Sequence, residues 1–351
     1  MNDQLYMLRC LELAARGAGQ VSPNPLVGCV IVSNGQVVGE GYHERYGQAH
    51  AEVNAVNAVF ERFGETEAAA LLKTATVYVN LEPCAHFGKT PPCADLLVRH
   101  EVREVVIGNT DPFHGVNGKG IQKLREAGIF VKSGIENDAC AWLNRRFFTR
   151  ITKQRPYVIL KWAQTADGFF APRDASQRWI SGPEAKKLVH QWRAEEDAVL
   201  VGKGTARADR PQLTVREVQG RNPIRVLVDR RLETAPDNPV LNAEARTIIL
   251  NEQKSDVIGN LHYISVEDMD FYLPQKILYQ LYLMDVQSLI IEGGTQILNL
   301  FIGAGLWDEA RIFTAPANWT DGLPAPLLPI DPVETRAVGA DRLHIYKNII
   351  L

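Results

Sequence analysis

Four residues in the first third of the chain have the types and the order that metal-assisted chemistry needs: His50, Glu52, Cys84 and Cys93, set in the stretches HAEVNAV and NLEPCAHFGKTPPC. A zinc ion that activates water takes three protein ligands, drawn from imidazole nitrogen and thiolate sulfur, and keeps a fourth position open. His50, Cys84 and Cys93 make up that count. Glu52 is then left to carry a proton, as a carboxylate beside an ion can act in turn as base and acid. Singly, each residue has a blander reading: the cysteines as small buried hydrophobes, His50 as a satisfied core histidine, Glu52 as a first-turn helix acid. Their order and the flanking prolines favour the metal reading. A purely structural zinc site normally asks for a fourth ligand, for which His86 is the candidate. Cys10, Cys29 and Cys140 sit in apolar periodic segments and read as core.

His-x-Glu followed by Pro-Cys-x-x-Cys is the pattern of zinc-dependent base deaminases. The first half is present, but eight residues separate Cys84 from Cys93 instead of two. The insert, AHFGKTPP, has the residue types that hold a phosphorylated ligand and reads as a substrate loop. Pro91-Pro92 before Cys93 suits a helix start, where exposed amides stabilise a thiolate.

These residues must be held by a fold. A length of 351 residues exceeds one ordinary core, so two domains are expected. Composition, at 46% hydrophobic and 23% charged, is that of a globular chain. The net charge of −3 and the scattered Lys and Arg argue against a nucleic-acid partner and for a small molecule. No apolar run reaches membrane-spanning length and the N-terminus does not read as a signal peptide. Five cysteines without an export signal fit the reducing cytoplasm. A homo-oligomer, dimer or tetramer, is common for enzymes of this size.

Along residues 5 to 150 the pattern predicts a helix over Leu5 to Arg16, a strand LVGCVIV, an Asn34-Gly35 hairpin turn, and a helix from His50 to Phe63. Strand TVYVN, helix CADLLVRH, strand EVVIG, helix GIQKLREAG, strand IFVKS and a helix from Asp138 to Phe148 follow. A hairpin followed by alternation implies a three-layer α/β sandwich with a mixed sheet. The domain boundary is placed in RRFFTRITKQRP, giving domains of 1–150 and 151–351. The second half repeats the α/β rhythm, with helices over PEAKKLVHQWRAE, Asp268 to Leu283 and QILNLFIGAG. It lacks G-x-G-x-x-G and any Walker sequence. In IIEGGTQ a buried strand ends at Glu292 and turns through Gly293-Gly294 into a helix start, a seat for a dinucleotide phosphate or simply a tight turn.

SPNPLVG, GYHERYGQAHAEVNA and NLEPCAHFGKTPPC resemble the bifunctional riboflavin-biosynthesis family, in which a pyrimidine deaminase is fused to a reductase. RPYVILKWAQTADG, RWISG, DAVLVGKGTARADRPQLTVR and IIEGG extend the resemblance through nearly the whole chain. It implies a cytidine-deaminase-like domain followed by a dihydrofolate-reductase-like one, with one zinc ion and NADPH as cofactors. The implied reactions are deamination of 2,5-diamino-6-ribosylamino-4(3H)-pyrimidinone 5′-phosphate and reduction of the ribosyl chain to ribityl. Glu52 would pass the proton to ammonia. Asn24 and His43 would face the pyrimidine, with His86, Lys89 and Thr90 toward the ribose phosphate and Asp111 and Lys119 as weaker matches. Lys89 stands where the family more often has arginine, keeping charge without the bidentate fork.

In the second half the resemblance implies cofactor contacts from Ala163, Trp179, Thr205 and Asp209, and from Gly294, Thr295, Gln296, Ile297, Leu298, Asn299 and Leu300. Substrate contacts would come from Lys161, Gln177, Arg193, Leu213, Arg216 and Glu292. Arg193 and Arg216 suit phosphate clamps, although an arginine is more often a solvated rim charge. Gln177 departs from the family's serine, with Ser176 one step earlier. Arg230, where the family has a small hydroxyl residue, is expected to pair with the 2′-phosphate of NADPH. The competing readings are a nucleoside or tRNA deaminase with a non-catalytic nucleotide-binding second domain, and a non-enzymatic zinc-stabilised scaffold, in which Glu52 would have no use.

Overall fold

The computed structural model describes residues 3–85, 87, 91–173 and 180–348. The chain divides into two units, Met1–Lys153 and Gln154–Leu351.

In the first unit, helix α1 (Asp3–Ala15) precedes the hairpin β1 (Gly28–Ser33) and β2 (Gln36–Tyr42). Then come α2 (Ala51–Thr74), β3 (Thr76–Leu81), α3 (Cys93–Arg99), β4 (Glu104–Asn109), α4 (Lys119–Glu126) and β5 (Phe130–Ser133). Helices α5 (Asn137–Leu143) and α6 (Arg145–Lys153) close the unit. The sheet order is β2-β1-β3-β4-β5, with β1 antiparallel to both neighbours and β3, β4 and β5 parallel. Asn34 and Gly35 turn the hairpin with φ of 51° and 76°, the left-handed pair that an Asn-Gly I′ turn requires.

Strands β1, β3 and β4 are buried on both faces, so their residues sort by parity. Cys29, Ile31, Val77, Val79, Val105 and Ile107 pack with α2, α3 and α4. Val30, Val32, Tyr78 and Val106 pack with Met7, Cys10 and Leu13 of α1 and Cys140 of α5. This is the three-layer sandwich expected. The helix expected from His50 to Phe63 stops there: Gly64, at φ 71° and ψ 171°, is not helical, and a second helical stretch follows the kink to Thr74. The one helix expected over Asp138 to Phe148 is two, divided at Asn144. The segment read as a linker is itself helical through Lys153.

Asn144 explains its own break. Its amide donates to the Leu26 carbonyl at 2.9 Å and accepts from the Leu26 N–H at 2.8 Å, while Asn80 donates to the same carbonyl and accepts from the Gly28 N–H. Backbone groups left unpaired there would cost about 1–3 kcal/mol each, so two asparagines fix the loop that carries Asn24.

In the second unit, β6 (Tyr157–Thr165), β7 (Phe169–Ala171), α7 (Pro183–Glu195), β8 (Ala198–Gly202), α8 (Lys203–Asp209) and β9 (Ile224–Val228) come first. They are followed by β10 (Thr247–Asn251), β11 (Asp256–Ile258), β12 (Leu261–Ser265), α9 (Leu273–Leu283), β13 (Ser288–Ile291) and α10 (Thr295–Gly303). The last strands are β14 (Glu309–Ala315), β15 (Leu323–Pro324), β16 (Glu334–Val338) and β17 (Asp341–Lys347). The main sheet runs β11-β12-β10-β9-β8-β13-β6-β14-β17-β16, parallel from β12 to β14 and antiparallel at both ends. Helices α9 and α10 cover one face, α7 and α8 the other. Helix α9 begins at Leu273, not Asp268, because Asp268 and Tyr272 adopt positive φ in the preceding turn.

Candidate active site

His50 is the N-cap residue of α2 and Glu52 lies in that helix's first turn. Their placement depends on β2, whose Gly39 and Gly41 lie flush against the helix. A Cβ at Gly41 would stand 2.4 Å from the Ala55 nitrogen and 2.7 Å from the Ala51 carbonyl. Any side chain there would push His50 and Glu52 out of place. Cys84 follows β3, and Cys93 opens α3 after Pro92 at its N-cap.

The three expected ligands meet. His50 Nδ1 is 3.7 Å from Cys84 Sγ and 3.4 Å from Cys93 Sγ, and the three ligand atoms lie within 4.8 Å of one another. One imidazole and two sulfurs at this spacing fit a tetrahedral zinc site with one corner left over. The Cys93 N–H at the start of α3 donates to Cys84 Sγ at 3.3 Å. Hydrogen bonding from Cys93 holds the Cys84 thiol well below the usual thiol range against the opposing effect of burial, and His50 adds to it. A thiolate is the form that binds metal.

Glu52 is 3% exposed. Burial pushes its carboxyl up, and the negative charge at Cys84 pushes the same way. Such a carboxyl accepts and returns a proton more readily than an exposed one. His43 is 2% exposed and engaged at both nitrogens: Nδ1 lies 3.0 Å from the Ala49 carbonyl and Nε2 3.1 Å from the Asn24 amide nitrogen. The imidazole is therefore the Nδ1–H tautomer, accepting from Asn24, and burial lowers its pKa and keeps it neutral. It stands edge-on to the His50 ring, with centroids 5.4 Å apart. Asp111 is buried after β4, and burial raises its carboxyl to about 6. Lys119 opens α4, and its ammonium reaches the His114 carbonyl. His86, Lys89 and Thr90 lie outside the described residues.

The second unit gathers charge of a different kind. Arg193 on α7 grips Glu292, just past β13, with two parallel bonds of 2.8 Å, and Lys161 on β6 stands 3.6 Å from the same carboxylate. Burial pushes Glu292 up, but Arg193 and Lys161 outweigh it and bring its carboxyl down to about 2. Burial lowers the Lys161 ammonium despite Glu292. Arg193, expected as a phosphate clamp, thus already holds a protein carboxylate.

Arg216 is exposed, with its guanidinium on Thr214 and its backbone N–H donating to His190 Nδ1 at 3.0 Å. His190 went unnoticed in the sequence. It occupies the core face of α7, as an ordinary core histidine does, and the one visible signal is its place three residues before Arg193 on the same helix. Burial and then Arg193 and Arg216 push its imidazole down to about 4.

Strands β8 and β13 are parallel neighbours and end together. A Cβ at Gly294, the N-cap of α10, would lie 3.3 Å from Thr205 Oγ1 of α8, so the two helix starts come close where Gly293 and Gly294 keep the backbone bare. Thr295 is half-buried at the first position of α10, whereas Ile297 and Leu298 pack in the core and Gln296, Asn299 and Leu300 are exposed. Asp209 ends α8 and Ala163 is half-buried on β6. Leu213 has φ 57° and its side chain belongs to the core. Arg230 donates to Glu252 at 2.6 Å and forks onto Asp270 at 2.6 and 2.8 Å, so a 2′-phosphate would have to displace Asp270. Gln177 and Trp179 lie outside the described residues. All five cysteines are free, and no helix among the described residues is long and apolar enough to cross a membrane.

A zinc triad beside a buried glutamate, in a three-layer sandwich, defines a zinc-dependent deaminase unit, here joined to an α/β reductase-type unit. Residues 1–109 match the cytidine and deoxycytidylate deaminase zinc-binding region, and residues 156–318 match the RibD C-terminal domain. The chain is 41% identical to the riboflavin biosynthesis protein RibD of Aquifex aeolicus, over 92% of this chain and 89% of that one. It is 35% identical to the RibD of Escherichia coli, over 90% and 88%. A crystal structure from Thermotoga maritima shares the fold over nearly the whole chain. That structure, a diaminohydroxyphosphoribosylaminopyrimidine deaminase/5-amino-6-(5-phosphoribosylamino)uracil reductase from Thermotoga maritima, superposes with a TM-score of 0.89 at 34% identity, covering 98% of both chains. The chain belongs to the RibD family of bifunctional deaminase–reductases of riboflavin biosynthesis. Both units thus have the fold class expected, cytidine-deaminase-like and then dihydrofolate-reductase-like, with zinc and NADPH as the cofactors.

Proposed function

We propose that the first unit deaminates 2,5-diamino-6-ribosylamino-4(3H)-pyrimidinone 5′-phosphate and that the second reduces the ribosyl side chain of the product to ribityl. The observation that carries the first step is the convergence of His50, Cys84 and Cys93 beside the buried Glu52. Zinc, when held by these three, supplies a Lewis acid that lowers the pKa of water at the open position. Glu52 would take a proton from the attacking water and deliver it to the departing amino nitrogen, a relay suited to a carboxyl whose pKa burial has raised. His43 fixes the Asn24 amide by accepting from its nitrogen, which turns the Asn24 oxygen toward the pyrimidine. His86, Lys89 and Thr90 serve the ribose phosphate on the strength of the family pattern alone.

In the second unit NADPH supplies the hydride. The start of α10 at Gly294 and Thr295, with Thr205 and Asp209 of α8, receives the cofactor, and Lys161, Arg193, Arg216 and Glu292 hold the phosphorylated substrate. Because Glu292 neutralises Arg193, the phosphate is received chiefly by Arg216 and by the charge left over from Lys161. Gln177 and Trp179 complete the cleft by resemblance, and Leu213 contributes through its backbone. The partner is a small phosphorylated pyrimidine and the compartment is the cytoplasm. Ammonia release from the diaminopyrimidine, followed by NADPH oxidation with the deaminated product, tests both halves. A zinc-loaded wild-type protein that released no ammonia would remove the first assignment, and absence of NADPH turnover the second.

A further inference from the structure

Glu82 lies just past the end of β3, two residues before Cys84, and is 4% exposed. Both its oxygens are filled by backbone N–H groups of one segment. Oε2 accepts from Asp111 at 3.1 Å and Gly118 at 2.9 Å, and Oε1 from Gly120 at 2.9 Å and Ile121 at 3.2 Å. Charge-assisted bonds of this kind are about twice as strong as neutral ones, so four of them make a firm anchor. Among the described residues no cationic side chain pairs with Glu82.

The same segment is pressed against the same strand end. A Cβ at Gly120 would lie 2.1 Å from the Pro83 carbonyl oxygen, so the start of α4 rests directly on the backbone that leads into Cys84. The topology gives this contact its meaning. Strands β3 and β4 are parallel neighbours with Leu81 opposite Asn109, so the turn after β4 lies beside the turn that supplies the metal ligand. In α/β sheets ligands bind at this carboxyl edge.

We infer that Glu82 is a positioning residue of the deaminase: it fastens residues 111–121 against the Cys84 turn and so fixes one wall of the pyrimidine pocket without touching the substrate. The inference rests on the deaminase reading above. Its physical basis is that two acceptor oxygens on one rigid carboxylate set the distance between two loops which the sheet alone leaves adjacent. A glutamine has the same shape but one acceptor oxygen, and its NH2 group would face two backbone N–H donors.

The test is steady-state kinetics on zinc-loaded Glu82→Gln, with the second unit as internal control. The expected result is a KM for the diaminopyrimidine raised roughly tenfold or more, with a smaller change in kcat, stoichiometric zinc, and NADPH oxidation within about twofold of wild type. Glu82→Asp, which keeps both oxygens and the charge, should recover part of that KM. Loss of folded protein alone would lower kcat per chain and leave KM unchanged. Should Glu82→Gln not fold, Gly120→Ala replaces it: the carboxylate stays, the start of α4 is forced off the Pro83 carbonyl, and KM must rise in the same way. A KM within about twofold of wild type in the folded, zinc-loaded variant overturns the inference. That outcome is distinct from a wild type that releases no ammonia, which would remove the deaminase reading itself.

Discussion

The two units solve the problem of holding charged groups inside a protein in different ways. In the first, the Glu82 carboxylate is held by the backbone N–H groups of Asp111, Gly118, Gly120 and Ile121, and the Cys84 thiolate by the Cys93 side chain and His50 together with the Cys93 N–H at the start of α3. In the second, charge is held by opposite charge: Arg193 and Lys161 on Glu292, with His190 kept neutral beside them. Backbone donors are fixed by the fold and give a rigid site. Side-chain pairs depend on each other, so removing one member strands the rest. The first arrangement suits an ion that demands fixed geometry, and the second a cleft whose charges are shared between protein and ligand.

The sharpest way to break the comparison is Glu52→Ala. Ammonia release should fall by about 10²–10⁴-fold, with zinc content unchanged and NADPH oxidation unaffected. A parallel loss of reductase activity would show that the two centres are not separate devices. Metal removal comes next. A chelator, or Cys84→Ser, should end ammonia release and lower the thermal stability of the first unit, since the ion ties α2, the β3 turn and α3 together, while NADPH turnover continues.

A smaller effect is expected in the second unit. Arg193→Ala leaves Glu292 buried with Lys161 alone and should cost about 3–5 kcal/mol in urea unfolding of that unit. Arg193→Lys, which keeps charge but loses the fork, should cost less and still raise the substrate KM. Equal stability of Arg193→Ala and wild type would mean that the pair is not mutually dependent. The smallest effect is one of pH. His190 has a folded pKa of about 4, below its ordinary 6.5, so the unfolded chain binds a proton that the folded one refuses. Its contribution is fully present above pH 6.5 and lost as pH falls toward about 4. His190→Gln should flatten the pH dependence of stability in that window, measured by denaturant titration. The charges facing His190 there are Arg193, Arg216, Glu217 and Glu292.

Much of the first centre was legible in the sequence because metal ligation constrains residue type strictly. Few other roles place a histidine and a glutamate two apart with two proline-flanked cysteines downstream. Glu82 stands in the same NLEPC stretch yet its role carries no mark there, because its partners are backbone N–H groups, which nearly every residue has and no sequence pattern singles out. The second candidate site was legible mainly through IIEGG, whose glycines leave the α10 start bare beside Thr205. Arg193 and Arg230 were recognised as cations, but their partners Glu292, Glu252 and Asp270 lie far along the chain. The helix from residue 50 was legible to its kink at Gly64. The break at Asn144 was not, because Asn144 ends a helix to reach Leu26, far back in the chain.

By itself the sequence determined which chemistry to look for: its residue types and their spacing mark a candidate ligand set, a candidate proton carrier and the alternation of strands and helices. Only the tertiary structure decided which charges meet. Hydrogen bonds and ion pairs act over a few ångströms, and that proximity is created when parallel strands bring distant loops to one edge of a sheet.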